Sequence, residues 1–159
     1  AYPEYRIYKI DGDIDERGSL SIGEHGDMVS FEANTDSEEV GVYLRSIKKK
    51  DQVLLIVEGG DPISGATLKI LETVKDVKLN VLYICPDRQM ISEIQKRDDR
   101  IAFNVLQEYA RSGKFENIFL VDKLKIEDLA GHVPVNEYEK TISYFGKLID
   151  RLQMRGQPK

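Results

Sequence analysis

Residues 59–65, which read Gly-Gly-Asp-Pro-Ile-Ser-Gly, form the segment whose composition most strongly indicates a binding site. Glycines at the end of a strand let the backbone approach an anion, and the start of the following helix directs free N–H groups toward it. Ser64 could cap that helix or donate its hydroxyl to a phosphate. The spacing matches neither the dinucleotide fingerprint nor the P-loop, Pro62 lacks an N–H, and Asp61 is negatively charged. The segment therefore predicts either an anion site or an ordinary strand-to-helix turn with a proline near the helix start.

Two pairs of charged residues are further candidates for ligand contact. Asp11 and Asp13 flank a glycine after the first predicted strand, where two carboxylates can hold a ribose hydroxyl or a magnesium-bound water. Asp-Gly-Asp is equally typical of a turn. Glu93 and Arg97 lie one helical turn apart, which fits either ligand contact or an exposed ion pair.

The cysteine and histidine content gives no support for nucleophilic catalysis or for a metal site. A lone Cys85 excludes an internal disulfide and a thiolate-rich zinc site, which favours the reducing cytoplasm. At the end of an apolar strand, this cysteine is expected to be a buried small hydrophobe. His25 and His132 have no serine, cysteine or carboxylate at a spacing that indicates a catalytic triad.

Length and composition predict one compact domain over residues 1–155, followed by a tail at residues 156–159. The chain has 159 residues, of which 41% are hydrophobic and 32% charged, with a formal net charge of −5. No apolar run is longer than Val53–Val57, which is far shorter than the roughly 18 residues of a membrane-spanning helix. The acidic balance argues against nucleic acid as a partner, because phosphate binding depends on surplus lysine and arginine. We therefore expect a cytoplasmic protein without a membrane span.

Apolar runs alternate with helical patterns along the chain. The predicted strands are 5–10, 19–22, 52–57, 79–85 and 117–121. The predicted helices are one that begins at a Thr35–Glu38 capping box, one that follows Gly65, and those at 90–112, 126–130 and 136–154, while 14–34 is expected to be irregular. This alternation predicts an α/β fold, a three-layer and mostly parallel Rossmann-like sheet with helices on both faces. Ligands are then expected at the carboxyl ends of the strands, in the loops after Ile10, Val57, Cys85 and Val121.

The predicted helix at 90–112 has two different sides. Its apolar residues near one side are Ile94, Ile101, Val105 and Tyr109. The charged cluster at 96–100 is expected to be a solvated face.

The order of these segments resembles the nucleotide-binding half of the tubulin/FtsZ family over most of the chain. Val53–Gly65 looks like the strand and glycine-rich signature of that family, Gly-Gly-Gly-Thr-Gly-Ser/Thr-Gly. Tyr5–Asp13 resembles its second strand and the acidic turn that follows, and Ser21–Glu24 resembles a short Ile-Gly-Glu segment. Asn104–Asp122 is similar to a later helix and strand, and Asn136–Met154 to the central helix.

The resemblance implies binding of GTP or GDP with Mg²⁺, and self-association, or association with related tubulin-like subunits, into filaments or scaffolds. The residues that it implies for nucleotide binding are Asp11, Asp13, Gly59, Gly60, Asp61, Ser64, Gly65, Glu93, Arg97 and Asp122. In that family, acidic residues from the second domain of the next subunit complete GTP hydrolysis. The family's first strand, first phosphate loop and carboxyl-terminal domain have no counterpart here, so we expect no hydrolysis by these residues alone.

The departures from the family pattern leave two alternatives open. Asp61, Pro62 and Ile63 occupy the positions where the family has Gly-Thr-Gly, and Lys123 follows Asp122 where tubulins have asparagine. One alternative is a degenerate tubulin-like scaffold that works without nucleotide. The other is an unrelated Rossmann-like domain that binds a different phosphate ligand. In the ligand-binding interpretations, we expect the turn at residues 59–65 to lie outside the core with its amides facing the anion.

Overall fold

A computed structural model describes residues 6–74 and 77–125. Residues 8–124 form one compact unit, and residues 1–7 and 125–159 belong to a second one. The predicted single domain over residues 1–155 stays a prediction. The elements are the strands β1 (Lys9–Asp11), β2 (Ser19–Ser21), β3 (Gln52–Glu58), β4 (Lys78–Cys85) and β5 (Asn117–Asp122), and the helices α1 (Met28–Asn34), α2 (Ser37–Tyr43), α3 (Thr67–Thr73) and α4 (Glu93–Arg111), with a 3₁₀ helix at Pro62–Ala66.

The strands are all parallel, as predicted, but they form two sheets. The three-stranded sheet has the order β3-β4-β5, with Val57 of β3 opposite Tyr83 of β4, and Tyr83 opposite Leu120 of β5. The first strand pairs only with β2, in a separate two-stranded sheet. The expectation of one sheet that includes the first strand is therefore wrong for the described residues.

The core of this unit lies against one face of the three-stranded sheet. Alternate residues of a strand point to the same face, and the core takes Val57 from β3 and Val81 and Tyr83 from β4. The helices contribute Val40, Leu71, Ala102 and Leu106 to the same cluster. Consecutive right-handed crossovers that progress in one direction across a sheet put their helices on one side, which accounts for α3 and α4 sharing this core.

The predicted helices on the other face of the sheet stay a prediction. Two of the predicted helical segments, 126–130 and 136–154, lie outside the described residues. Among the described helices, none is long and apolar enough to cross a membrane.

Helix α1 occupies part of the region that we expected to be irregular. Asp27 caps it, because its Oδ1 accepts a hydrogen bond from the N–H of Ser30 at 2.8 Å. Met28 and Phe31, three residues apart, are the side chains that the helix buries. A helix of seven residues gives too short a periodic pattern to stand out from the glycines around it.

The start of α2 is displaced by one residue from the predicted capping box. Asp36 is the cap, and its Oδ1 accepts a hydrogen bond from the N–H of Glu38 at 2.9 Å. Thr35 instead ends α1 and donates its hydroxyl to the carbonyl of Phe31. Two adjacent polar residues could each cap a helix, and the short turn between α1 and α2 decides which of them does.

Helix α4 buries two members of the charged cluster that we expected to be solvated, and Arg97 and Arg100 of that cluster are exposed. Ser92 and Gln95 form a capping box at its start. Asp98 and Asp99, from the charged cluster, are only 4% and 6% exposed, whereas Ile94 and Ile101 are 60% and 43% exposed. The expectation that the cluster at 96–100 forms a solvated face is therefore wrong for these two aspartates.

Candidate functional site at the carboxyl edge of the sheet

The carboxyl ends of the three parallel strands bring Glu58, Cys85 and Asp122 to one edge of the sheet. Cys85 lies opposite Asp122 in the register of β4 and β5. Lys123 Nζ lies 2.5 Å from Glu58 Oε1, so an ion pair joins the ends of the two outer strands across the middle one. The sequence analysis did not single out Glu58. Its position at the end of an apolar strand could have indicated that Glu58 lies at this edge of the sheet.

The turn at residues 59–65 uses its hydrogen-bond donors within the chain. The N–H of Gly59 donates to the carbonyl of Ile84 at 2.9 Å. The N–H of Ile63 donates to Asp61 Oδ1 at 3.2 Å, and that of Ser64 donates to the Asp61 carbonyl at 2.9 Å. The carboxylate of Asp61 thus caps the 3₁₀ helix at the position where a phosphate would meet the free amides of a helix start.

Gly59 and Gly60 are buried because α4 and β4 pack closely against them. A Cβ atom on Gly59 would lie 2.4 Å from the Tyr83 hydroxyl oxygen and 2.4 Å from Asp99 Oδ1. Gly60 has a φ of +82°, and a Cβ there would approach the carbonyl oxygen of Gln95 to 3.3 Å. These contacts give both glycines a packing function.

The other end of the turn packs against α1. A Cβ on Gly65 would lie 2.0 Å from the carbonyl oxygen of Met28. Ser64, which is 7% exposed, donates its hydroxyl to Met28 Sδ at 3.3 Å. The expectation that this turn lies outside the core is therefore wrong, since helix α1, which the sequence analysis missed, covers it.

The electrostatic surroundings of Asp61 are dominated by carboxylates. Partial burial raises the pKa of the Asp61 carboxyl above its usual value, and the hydrogen bond from Ile63 opposes that shift. Glu58 and Asp11 raise the pKa further, whereas Lys123 lowers it. Among the described groups that act on Asp61, Glu58 and Asp11 are negative and Lys123 is positive, so a phosphate beside the Asp61 carboxylate would meet an excess of negative charge and these residues do not fit it.

A buried network of three side chains lies beneath Gly59. Asp99, whose side chain is 8% exposed, accepts hydrogen bonds from the Tyr83 hydroxyl at 2.5 Å and from Arg88 Nη2 at 3.0 Å. Burial and the bond to Asp99 raise the pKa of Tyr83, which keeps its hydroxyl protonated as the donor. Burial, followed by the charge of Asp122, also raises the pKa of the Cys85 thiol. Spacing in sequence gave no signal for this network.

The predicted pair Asp11 and Asp13 lies in an exposed turn. Asp11 Oδ1 accepts a hydrogen bond from the N–H of Gly12 at 2.7 Å, which is typical of an aspartate that shapes its own turn. Asp11 is near enough to Asp61 to raise its pKa, and Asp13 is not among the groups that act on Asp61.

Glu93 and Arg97 do not pair with each other. Glu93 pairs with Lys96 at 3.0 Å, and this hydrogen bond lowers the pKa of Glu93. Arg97 Nη2 lies 3.6 Å from Asp98 Oδ1. The ion-pair interpretation of Glu93 and Arg97 is therefore wrong. Nucleotide contact by these two residues, whose side chains are 89% and 58% exposed, stays a prediction.

The described residues contain no group of three or more histidine, cysteine, aspartate or glutamate side chains arranged to hold a metal ion. No protein-family model, no curated protein and no solved structure matches the chain. The resemblance to the tubulin/FtsZ family therefore rests on the sequence segments alone.

Proposed function

We propose that this chain is a tubulin/FtsZ-like scaffold domain that acts through protein contacts, without a nucleotide phosphate in the turn at residues 59–65. The observation that carries the proposal is the internal use of the turn's donors. The N–H groups of Gly59, Ile63 and Ser64 donate to the chain's own oxygens, and the Asp61 carboxylate caps the following helix.

The energetic argument concerns what a phosphate would displace. It would have to replace the Asp61 carboxylate as the acceptor at the helix start and would then lie beside Glu58 and Asp11. Like charges that share a site disfavour each other's ionised forms. The buried packing of Gly59 and Gly65 also prevents the turn from opening without loss of contacts to α4 and α1.

A protein partner is supported by large apolar side chains in solvent. Ile94 and Ile101, two turns apart on α4, are 60% and 43% exposed, and Met90, which precedes the helix, is 80% exposed. Single exposed apolar residues are common, but a group of them on one side of a helix is typical of an interaction surface.

Guanine nucleotide binding is the second candidate, and two cations at the edge of the sheet favour it. Arg88, whose side chain is 55% exposed, and Lys123, whose side chain is 47% exposed, lie at the ends of β4 and β5. Their present partners are Asp99 and Glu58. A nucleotide phosphate would need to draw one of these cations away from its carboxylate.

Calorimetric titration of the full chain with GTP, GDP and ATP, each with Mg²⁺, tests the proposal. We expect no binding tighter than millimolar for any of the three. Micromolar binding of GTP or GDP that Lys123→Ala or Arg88→Ala abolishes would overturn the proposal in favour of the second candidate. Tight binding of ATP alone would indicate an unrelated Rossmann-like domain with another phosphate ligand.

A further inference from the structure

The outer face of α4 carries one continuous stripe of exposed residues. Positions three or four apart share one face of a helix. The stripe consists of Glu93, Arg97, Ile101, Asn104, Glu108 and Arg111, all of them exposed. Ile94 extends it at the start of the helix, and the exposed Met90 precedes the helix.

Helix α4 buries Ala102 and Leu106 as an amphipathic helix should, but four of its side chains depart from that pattern. Two carboxylates, Asp98 and Asp99, face the interior, while Ile94 and Ile101 face solvent. Asp99 receives hydrogen bonds from Tyr83 and Arg88, which offset the cost of its burial. No comparable compensation applies to the isoleucines, so a partner that covers them would stabilise the chain through apolar burial.

The order of charges along the stripe identifies a partner that would fit it. Apart from the exposed Arg100 at the edge of the stripe, the signs alternate from the start of the helix to its end: Glu93 negative, Arg97 positive, Glu108 negative and Arg111 positive. A second copy placed parallel would bring like charges together. A second copy placed antiparallel would bring opposite charges together at every one of these positions.

We infer that the outer face of α4 is a homodimer interface in which two α4 helices pack antiparallel about a twofold axis. Arg97 then faces Glu108 of the second copy, and Glu93 faces its Arg111. The midpoint of each pair along the helix lies between Ile101 and Asn104, so one register forms both pairs. Each pair occurs twice by symmetry, which gives four ion pairs, and the two Ile101 side chains lie near the twofold axis. This inference rests on the proposed function, since it names the partner for the protein contacts.

The dimer should be weak and sensitive to salt. A helix of 19 residues is about 28 Å long, and one helix pair covers less surface than a standard stable interface. Within the chain, Glu93 and Glu108 already pair with Lys96 and Arg111, in exposed ion pairs that contribute little. Facing the second copy would join them into a network, and screening by salt would weaken it.

Sedimentation equilibrium of the full chain, from micromolar to millimolar concentration at low ionic strength, tests the inference. We expect a monomer–dimer equilibrium that shifts toward monomer as salt is added. Arg97→Glu brings like charges together twice per dimer and should raise the dissociation constant about tenfold or more. Glu108→Arg alone should do the same, and the double variant Arg97→Glu/Glu108→Arg should restore dimerisation because it exchanges the two signs.

The matched control is Lys49→Glu, which changes the net charge by the same amount at an exposed position away from α4. It should leave the dissociation constant unchanged. A chain that stays monomeric at millimolar concentration overturns the inference, as does a dimer that Arg97→Glu weakens no more than Lys49→Glu does. Nucleotide titration is a separate measurement, so failure of the proposed function would appear there even if the dimer forms.

Discussion

The turn at residues 59–65 and the outer face of α4 both carry residues whose types indicate binding, yet they present those residues differently. In the turn, the N–H groups of Gly59, Ile63 and Ser64, the Asp61 carboxylate and the Ser64 hydroxyl have partners in the same chain. On α4, Ile101 is 43% exposed, and Arg97 keeps 58% of its side chain in solvent despite its ion pair with Asp98. The first region is closed by its own groups, and the second is open.

The difference shows that residue types alone do not indicate a binding site. The hydrogen-bond partners of the polar groups must also be known. A buried donor without an acceptor costs about 1–3 kcal/mol, so donors in a true anion site must find a ligand or water. The donors of Gly59 and Ser64 have protein acceptors and create no such need. An exposed isoleucine such as Ile94, in contrast, gains from being covered.

Gly65→Ala should produce the largest effect, because it tests whether the turn is closed by packing. The new Cβ would lie 2.0 Å from the Met28 carbonyl oxygen, so α1 would have to move away. We expect a loss of about 3 kcal/mol in the free energy of unfolding, measured by urea denaturation, since overpacking of a rigid contact costs this much.

Gly26→Ala is the matched control for that substitution. Nothing lies within 4 Å of a Cβ at Gly26, and the expected change in the free energy of unfolding is within about 0.5 kcal/mol. Equal stability of the Gly65→Ala and Gly26→Ala variants would mean that the turn opens easily. That result would support the hypothesis of an anion site in the turn.

Tyr83→Phe should have the next largest effect, because it removes a donor from the network beneath Gly59. Asp99 would keep Arg88 as a partner but lose the hydroxyl bond, in a location where its side chain is 8% exposed. We expect a loss of about 1–2 kcal/mol in the free energy of unfolding. Tyr109→Phe is the control, because Tyr109 of α4 packs against the same core. It should leave the free energy of unfolding nearly unchanged.

If Tyr83→Phe were as stable as the control, the hydroxyl bond would not contribute to closing the turn. The contrast with the turn's glycines would then rest on packing alone. Circular dichroism of both variants before denaturation ensures that the comparison is made between folded proteins.

Local pattern was sufficient to predict most of the strands. β3, β4 and β5 each contain an apolar run of four or five residues bounded by polar residues or proline, and such runs are typical of parallel strands. Helix α1 was missed because seven residues hold too little periodicity. The burial of Asp99 on α4 was not predicted because a charged cluster normally faces water, and the hydrogen bonds from Tyr83 and Arg88 that satisfy its carboxylate are tertiary contacts.

The candidate site was harder to predict than the fold, for a physical reason. A glycine that admits a ligand and a glycine that admits a neighbouring backbone look the same in one sequence. Gly65 is of the second kind, with the Met28 backbone beside it, and Gly59 lies against the side chains of Tyr83 and Asp99, all of them distant along the chain. The Glu58–Lys123 ion pair likewise depends on strand order, which composition does not contain.

Asp61→Asn should change stability least, but the direction of its change with pH is diagnostic. The substitution removes the charge from the closed turn while preserving the helix cap. Asparagine can still accept the hydrogen bond from Ile63. The pKa of Asp61 is raised in the folded chain, mainly by burial, so the proton binds the folded state more tightly than the unfolded one. Protonation of Asp61 therefore stabilises the folded chain. This stabilisation is present below the pKa of the unfolded state, about 3.9, and is lost as pH rises through the higher pKa of the folded state.

The variant does not titrate at this position, so its melting temperature relative to the natural chain should rise with pH just above pH 4 and then level off. Thermal unfolding of both proteins from pH 3.5 to 6.5 measures this difference. Asp61→Ala, which lacks the acceptor, should lose the cap and stay less stable than Asp61→Asn throughout. A relative melting temperature that falls as pH rises would show that the folded chain stabilises the Asp61 carboxylate. The turn would then be electropositive enough to attract an anion. It could no longer be contrasted with α4 as a region closed to ligands.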